Sequence, residues 1–358
     1  MDDSTLELSG SRVLVTGATG RVGRTLSRQL ARRGALVSTV VLPDDPGRDA
    51  LPVSVHATLG SLADLHTVEV ALDGIDLVVH LAALMDWSAE ANHRLFDANV
   101  IATFNLLHVA AKPDRRVQQV VIASSDEVYP ALQVRGMIRE DLPTSPYSFY
   151  GLTKLLDEEM ADFYQRVMDV PVSIARFSLT AEPAELLRAD GWSGRLFFAS
   201  GLRGILDALG RGEAVAAIDA SIARPESTLL LARDLEGLPY AFQFCDVRDL
   251  VDGLLLQLTN PAAVGRTFNL SGPRPTLYDE AVPAIAEATK LEFIDLRLPG
   301  PRIHVETSIE AARKILGYQP RYDLPSILND AVRGTRSDTE TGVLRDGSNP
   351  GWPSDLDR

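Results

Sequence analysis

The chain has 358 residues, 45% of them hydrophobic, enough to bury a large core in one big domain or two intimate ones and too many for a disordered or fibrous protein. Its 35 Lys and Arg against 49 Asp and Glu give a net charge of -14, a field that repels phosphate backbones and anionic lipid, so no nucleic-acid or membrane partner is expected. The acidic start "MDDSTLELSG" is unlike a secretory signal, no segment approaches the roughly 18 apolar residues of a membrane span, and a soluble, cytoplasmic protein is expected.

The first half alternates two periods. "RVLVTG", "ALVSTVVL", "VSVHATL", "IDLVVHLAA", "VQQVVIASS" and "VPVSIARF" are Val- and Ile-rich runs suited to strands buried on both faces. Helical spacing lies between them: Val22, Leu26 and Leu30, then Phe96, Val100, Phe104 and Leu107. Strand and helix alternating over about 180 residues predict an α/β fold, a Rossmann-type doubly wound parallel sheet whose ligands sit beyond the carboxyl ends of the strands.

Between the first strand and first helix stands "VTGATGRVG", with Gly17, Gly20 and Gly23 at three-residue spacing. Glycine there permits a tight turn, brings backbone N–H groups to a pyrophosphate and lets the helix pack on the strand. Dinucleotide binding is therefore predicted. The ribose reader is less plain: Asp44 and Asp45 after the second strand favour NAD, while Arg21 and Arg24 are available to an NADP phosphate.

The fifth strand ends in "ASSDEVYP", where Ser125, Asp126, Glu127 and Tyr129 crowd onto one edge. Twenty-five residues after Ser125 comes "YSFYGLTKLLDEEM", which sets Tyr150 and Lys154 at i and i+4 on one helical face. A phenol titrates near 10 and is a poor base at neutral pH, so a neighbouring ammonium that favours phenolate is what a catalytic Tyr requires. Ser125 completes the relay by hydrogen-bonding the oxygen that Tyr150 deprotonates.

After Phe177 the rhythm breaks. Residues 181–240 and 273–333 read as a smaller C-terminal substrate lobe, residues 1–180 as a Rossmann core completed by 241–272, and 334–358 as a mobile polar tail. Cys245 is the single cysteine, which rules out an intramolecular disulfide and reads as a small core residue. The six His residues show no ligand spacing, and no metal is predicted.

As a set, the glycine loop, "HLAA" at 80–83, "NVIATFNLLHVAAK" from Asn99, "SSDEVYP", the Tyr150 and Lys154 pair, "CDVRDLVDGLLLQL" and "SIEAARKILGYQP" resemble the extended short-chain dehydrogenase/reductase superfamily, in its NAD-dependent epimerase/dehydratase branch. The resemblance covers roughly residues 10–333. It implies an enzyme with NAD, or alternatively NADP, held by Gly17, Thr19, Gly20, Arg21, Val22 and Gly23, with Leu81, Ala82 and Ala83 lining the cofactor and Asn99 as the structural or relay Asn. Tyr150 becomes base or acid, Lys154 also binds the nicotinamide ribose, and Ser125 positions the reacting oxygen. A homodimer through helices near 90–111 and 148–166 is implied too. "SDEVY" is similar to the acidic motif of nucleotide-sugar dehydratases, which makes Asp126 and Glu127 catalytic candidates; the alternative is two acids of a turn.

Some positions depart from that pattern. Leu179 stands where an Asn is expected and Phe242 where an Arg would be; "LPGPRIHVE" lacks an Arg-x-Gly-Asp run, and Ser61 replaces an acid at the adenine. Arg274, Arg297 and Arg302 are the substitutes on offer for a pyrophosphate clamp. Trp87, Trp192, Phe197 and Phe198 form either a stacking surface for a ring or ordinary lobe core. The expected function is NAD(P)-dependent oxidation or reduction of a secondary alcohol or ketone on a sugar-like, even nucleotide-sugar, substrate. A simple dehydrogenase of a smaller hydroxy or keto substrate is the alternative, and a non-catalytic dinucleotide sensor the third reading.

Overall fold

The computed structural model describes residues 5–134 and 136–341. Five strands open the chain: β1 (Arg12–Thr16), β2 (Leu36–Val41), β3 (Val55–Leu59), β4 (Leu77–His80) and β5 (Gln119–Ser125). With Val172–Phe177 and Thr267–Leu270 they form one seven-stranded sheet, in the order Thr267–Leu270, Val172–Phe177, β5, β4, β1, β2, β3. Every neighbouring pair is parallel. Val13, Leu14 and Val15 are wholly buried, as are Val78 and Val79, because helices cover both faces. The order reverses at β1, so the crevice beyond the ends of β1 and β4, where Thr16 stands opposite His80, is the switch point at which such sheets bind ligands.

The spacing of Val22, Leu26 and Leu30 does build a helix, Arg21–Arg32, with Leu26 and Leu30 fully buried. The second predicted helix is less regular. It runs as Asn92–Leu95, a π turn at Phe96–Ile101, and Ala102–Ala110. A π turn inserts an extra residue, so the four-residue spacing does not keep one face: Val100 and Leu107 are buried, while Phe96 and Phe104 point outward.

The long helix Phe149–Met168 starts at Ser148, whose Oγ accepts from the Gly151 N–H at 2.9 Å, and stops at Asp169 in the left-handed region (φ 56°). It lies along the end of β5 and is pinned there residue by residue. The Lys154 Nζ donates to the Ala123 carbonyl at 3.1 Å, and Glu158 Oε1 accepts from Ser124 Oγ at 2.5 Å. Glu158 also takes a bidentate Arg176 guanidinium, at 2.7 and 2.9 Å, from the neighbouring strand. Arg176 in turn donates to the Tyr129 hydroxyl, which donates to Asn269 Oδ1 at 3.0 Å on the last strand of the sheet.

Elements outside the sheet include the helices Ala199–Ala208, Gly212–Ser221, Tyr278–Thr289 and Leu324–Thr341, and the parallel pair Leu229–Arg233 with Phe293–Arg297. Phe197, Phe198, Phe242 and Tyr278 form their core, so Phe197 and Phe198 are packing residues and not a stacking surface. The helix Leu324–Thr341 carries on past Gly334, where the sequence places the start of a polar tail; no Gly or Pro follows Gly334 before Gly342. Residues 342–358 of that tail lie outside the described residues.

Glu158 and Arg176 are almost wholly buried, so removing one partner leaves an uncompensated charge. Glu158→Ala is expected to cost about 3–5 kcal/mol in denaturant unfolding. A change under about 1 kcal/mol would contradict this account of how the helix is held.

Candidate active site

The glycine loop has the shape a pyrophosphate requires. Gly17 has φ 69°, and a Cβ there would lie 2.9 Å from the Ala82 nitrogen, so the loop after β4 closes directly over it. A Cβ on Gly23 would meet the Gly17 carbonyl at 2.1 Å, which is what allows the first helix to seat against β1. The N-terminus of Arg21–Arg32 faces this cradle with unpaired backbone N–H groups and the positive end of the helix dipole. Val22 packs against the core beneath.

Side chains around the cradle have defined partners. Thr19 Oγ1 donates to Asp45 Oδ2 at 2.8 Å, and Asp45 Oδ1 accepts from the Gly47 N–H at 2.7 Å, which brings Asp45 to the loop's edge. Arg21 reaches across the crevice to Glu185 at 2.8 Å. Leu81 and Ala82 give their N–H groups to Thr16 Oγ1, both at 3.1 Å. Asn99 is buried and holds the same loop by its backbone, accepting from Leu84 N at 2.8 Å and donating to Leu84 O at 3.1 Å; Ala83 lies between these two anchors.

At the end of β5 the structure brings Ser125, Asp126, Glu127 and Tyr150 together. Ser125 Oγ accepts from the Glu127 N–H at 3.2 Å and lies 3.4 Å from Asp126 Oδ1. It also stands close enough to the Tyr150 phenol to favour the ionised form. Tyr150 itself is buried, and burial, together with the charges of Glu127, Asp126 and Asp157, pushes its phenol well above the ordinary range.

The two acids differ in what they do. Glu127 accepts from the Trp87 indole at 3.1 and 3.2 Å and from Ser148 Oγ at 2.5 Å, so it ties β5 to the start of the long helix. Burial still raises its carboxyl. Among the described residues Asp126 has Ser125 as its one side-chain hydrogen-bond partner; burial and the Glu127 charge push it up to about 7, where a carboxyl can exchange protons at neutral pH.

Lys154 differs from the simple Tyr–Lys expectation. Its ammonium bonds Ala123 O and Asp157 Oδ2, the latter at 3.2 Å, so a carboxylate that the motif does not include already shares its charge. Of the four aromatic residues that the sequence offers as a stacking surface or lobe core, Trp87 and Trp192 do stack, and on each other. The Trp87 and Trp192 rings stack at 5.5 Å, Trp87 lies 5.8 Å from the Tyr150 ring, and the Arg195 guanidinium covers Trp192 at 4.3 Å. Isolated Trp residues 105 positions apart carry no spacing signal. Burial and the nearby Arg21 charge lower the Arg195 pKa to about 10. Arg274, Arg297 and Arg302 do not join this site: Arg274 pairs with Glu280 at 2.5 Å, Arg302 donates to the Pro239 carbonyl at 2.9 Å, and Arg297 is exposed. Phe242 is buried in the lobe core. No group of three or more His, Cys, Asp or Glu residues suited to a metal occurs among the described residues.

A parallel sheet with a glycine cradle at its switch point, facing a Ser, Tyr and Lys set, defines an NAD-dependent dehydrogenase-type fold. The chain belongs to the NAD dependent epimerase/dehydratase family, whose model matches residues 13–203. A short-chain dehydrogenase/reductase superfamily protein of Agrobacterium tumefaciens, solved with bound NAD, is 34% identical, with a TM-score of 0.80 over 93% of this chain and 100% of that one. A Bacillus subtilis protein named an uncharacterized UDP-glucose epimerase is 25% identical over 338 residues, 90% of this chain and 96% of that protein. A uronate dehydrogenase of Pseudomonas syringae is 29% identical over 186 residues, 51% of this chain and 64% of that enzyme. The protein is thus an NAD-dependent enzyme of the epimerase/dehydratase class.

Because Asp126 is harder to ionise when folded than when unfolded, its contribution to stability is present below about 4 and is lost as pH rises through about 7. Asp126→Asn is expected to flatten that part of the profile, gaining thermal stability over the parent at about pH 8 but not at about pH 4. Parallel melting curves at both pH values would refute the assignment.

Proposed function

We propose that the protein oxidises a secondary alcohol of a compact, non-nucleotide sugar acid, with Tyr150 taking the carbinol proton and Ser125 hydrogen-bonding the same oxygen. The observation that carries this reading is the Trp87 and Trp192 stack, capped by Arg195, beside the Tyr150 ring. It narrows the approach to Tyr150 and brings a cation that would face a carboxylate. Phe242 and Leu179, at positions that a nucleotide sugar's partners would occupy, support a substrate without a pyrophosphate, since an unpaired pyrophosphate in a cleft would be costly. The uronate dehydrogenase relative acts on a sugar acid.

In this reading Gly17, Gly20 and Gly23 hold the dinucleotide, and Asp45 beside Thr19 favours NAD over the 2'-phosphorylated form. NAD, when bound, supplies the hydride acceptor. Lys154 steadies the nicotinamide ribose, and residues 1–180 with 241–272 hold the cofactor while 181–240 with 273–333 enclose the substrate. A location in the cytoplasm fits an acidic chain in which no helix of the described residues is long and apolar enough to cross a membrane.

A second reading is favoured by one observation, the Asp126 carboxyl near 7 beside Glu127. Two acids so placed suit epimerase or dehydratase chemistry, in which the hydride returns within one cycle. The Bacillus subtilis relative, by its name, acts on a nucleotide sugar. Two copies of the chain are proposed to pair through the adjacent helices that expose Phe104 (42%), Phe163 (48%) and Val167 (54%).

Net NADH formation with free hexuronic acids, and none with UDP-sugars, is expected; NAD retained through purification with UDP-sugar interconversion and no net NADH would replace the first reading by the second. Tyr150→Phe is expected to lower kcat by at least about 100-fold with little change in NAD affinity, as measured by steady-state kinetics and NADH-release assays. Phe104→Glu with Phe163→Glu is expected to halve the mass seen by light scattering; an unchanged mass would place the interface elsewhere.

A further inference from the structure

Asp157 sits three residues beyond Lys154 on the long helix, with 0% of its side chain exposed; Lys154 is 3% exposed. Burying an ammonium this deeply drives it toward the neutral amine unless a counter-charge stands by. The described groups around Lys154 leave a single supplier of that charge. Ala123 offers only a carbonyl. Glu158 is already bidentate to Arg176 and bound by Ser124. Asp126 and Glu127 lie on the Tyr150 side, Glu127 being held by Trp87 and Ser148.

His80, on β4, is the remaining titratable neighbour, and burial together with the Lys154 charge lowers its pKa to about 3, so it is neutral. Its tautomer follows from its partners. Thr16 Oγ1 accepts the Leu81 and Ala82 N–H groups, so its own O–H points to His80 Nδ1, 2.8 Å away. The ring proton is then on Nε2, which donates to Thr103 Oγ1 at 3.1 Å. Thr16, His80 and Thr103, on three elements, thus form one oriented chain. Burial raises the Asp157 carboxyl, and the Lys154 ammonium, followed by Thr103, works against that rise.

We infer that Asp157 is a positioning residue: the buried counter-ion of Lys154 that, with the Ala123 carbonyl, takes two of its three N–H donors and so fixes where its nitrogen stands. This deepens the proposed function, since it rests on Lys154 belonging to the active site. The chain from Thr103 through His80 and Thr16 ends on the backbone of Leu81 and Ala82, so the loop that closes over Gly17 is tied to the helix Ala102–Ala110.

The test does not depend on activity. The sequence holds four lysines, at 112, 154, 290 and 314, so selectively labelled lysine side chains give four NMR signals, and Lys154→Met identifies one. In full-length protein, Asp157→Asn is expected to lower the Lys154 titration midpoint by at least about one pH unit and leave the other three in place. An unmoved Lys154 midpoint would overturn the inference even if the enzyme works as proposed. If Asp157→Asn does not fold, the pair Lys154→Met with Asp157→Leu decides: a double variant that melts above both single variants supports mutual compensation, and one no better than the singles overturns it. An inactive enzyme with the expected titration would instead count against the proposed function alone.

Discussion

The buried contact between Arg176 and Glu158 sets the geometry of everything around it. One carboxylate takes two guanidinium donors from the strand Val172–Phe177 and a hydroxyl from Ser124 on β5, while its own helix carries Tyr150 and Lys154 two turns and one turn upstream. Fixing Glu158 therefore fixes the rotation and the height of that helix against the sheet. Ser125 then faces Tyr150, and Ala123 faces Lys154, because the three consecutive strand residues meet helix positions spaced by four. An ion pair this buried adds little net stability over a hydrophobic replacement, and its value here lies in specifying one register.

Much of this was legible in the chain because local physics and tertiary structure agree. The Val-rich runs became the strands, and "VTGATGRVG" became the cradle, since only glycine tolerates the φ of Gly17 and the approach at Gly23. The sheet leaves little freedom once its strands and crossovers are recognised. Ser125 and Tyr150 meet because both lie at carboxyl-end positions of that sheet, which their motif positions already imply.

What escaped the sequence is what depends on side chains far apart in the chain. Asp157 reads as one acid among three in "KLLDEEM", and nothing in the string says that it and Glu158 turn inward while Glu159 does not. Trp87 and Trp192 stand out in the sequence as aromatic candidates, but that they stack on each other depends on two separate loops meeting. The regular spacing of Phe96 and Phe104 misleads in the other direction, because a π turn breaks the phase on which the pattern relies. Division of labour between Asp126 and Glu127 is likewise invisible without Ser148 and Trp87, which engage one acid and leave the other nearly alone.

The bridge from Arg21 to Glu185 joins the first turn of the cofactor helix to a short helix near the Leu324–Thr341 segment. Arg21 is also the first residue of the helix whose N-terminus faces the glycine cradle, so the short helix that carries Glu185 and the edge of the cradle share one ion pair, and a shift of either is felt by the other.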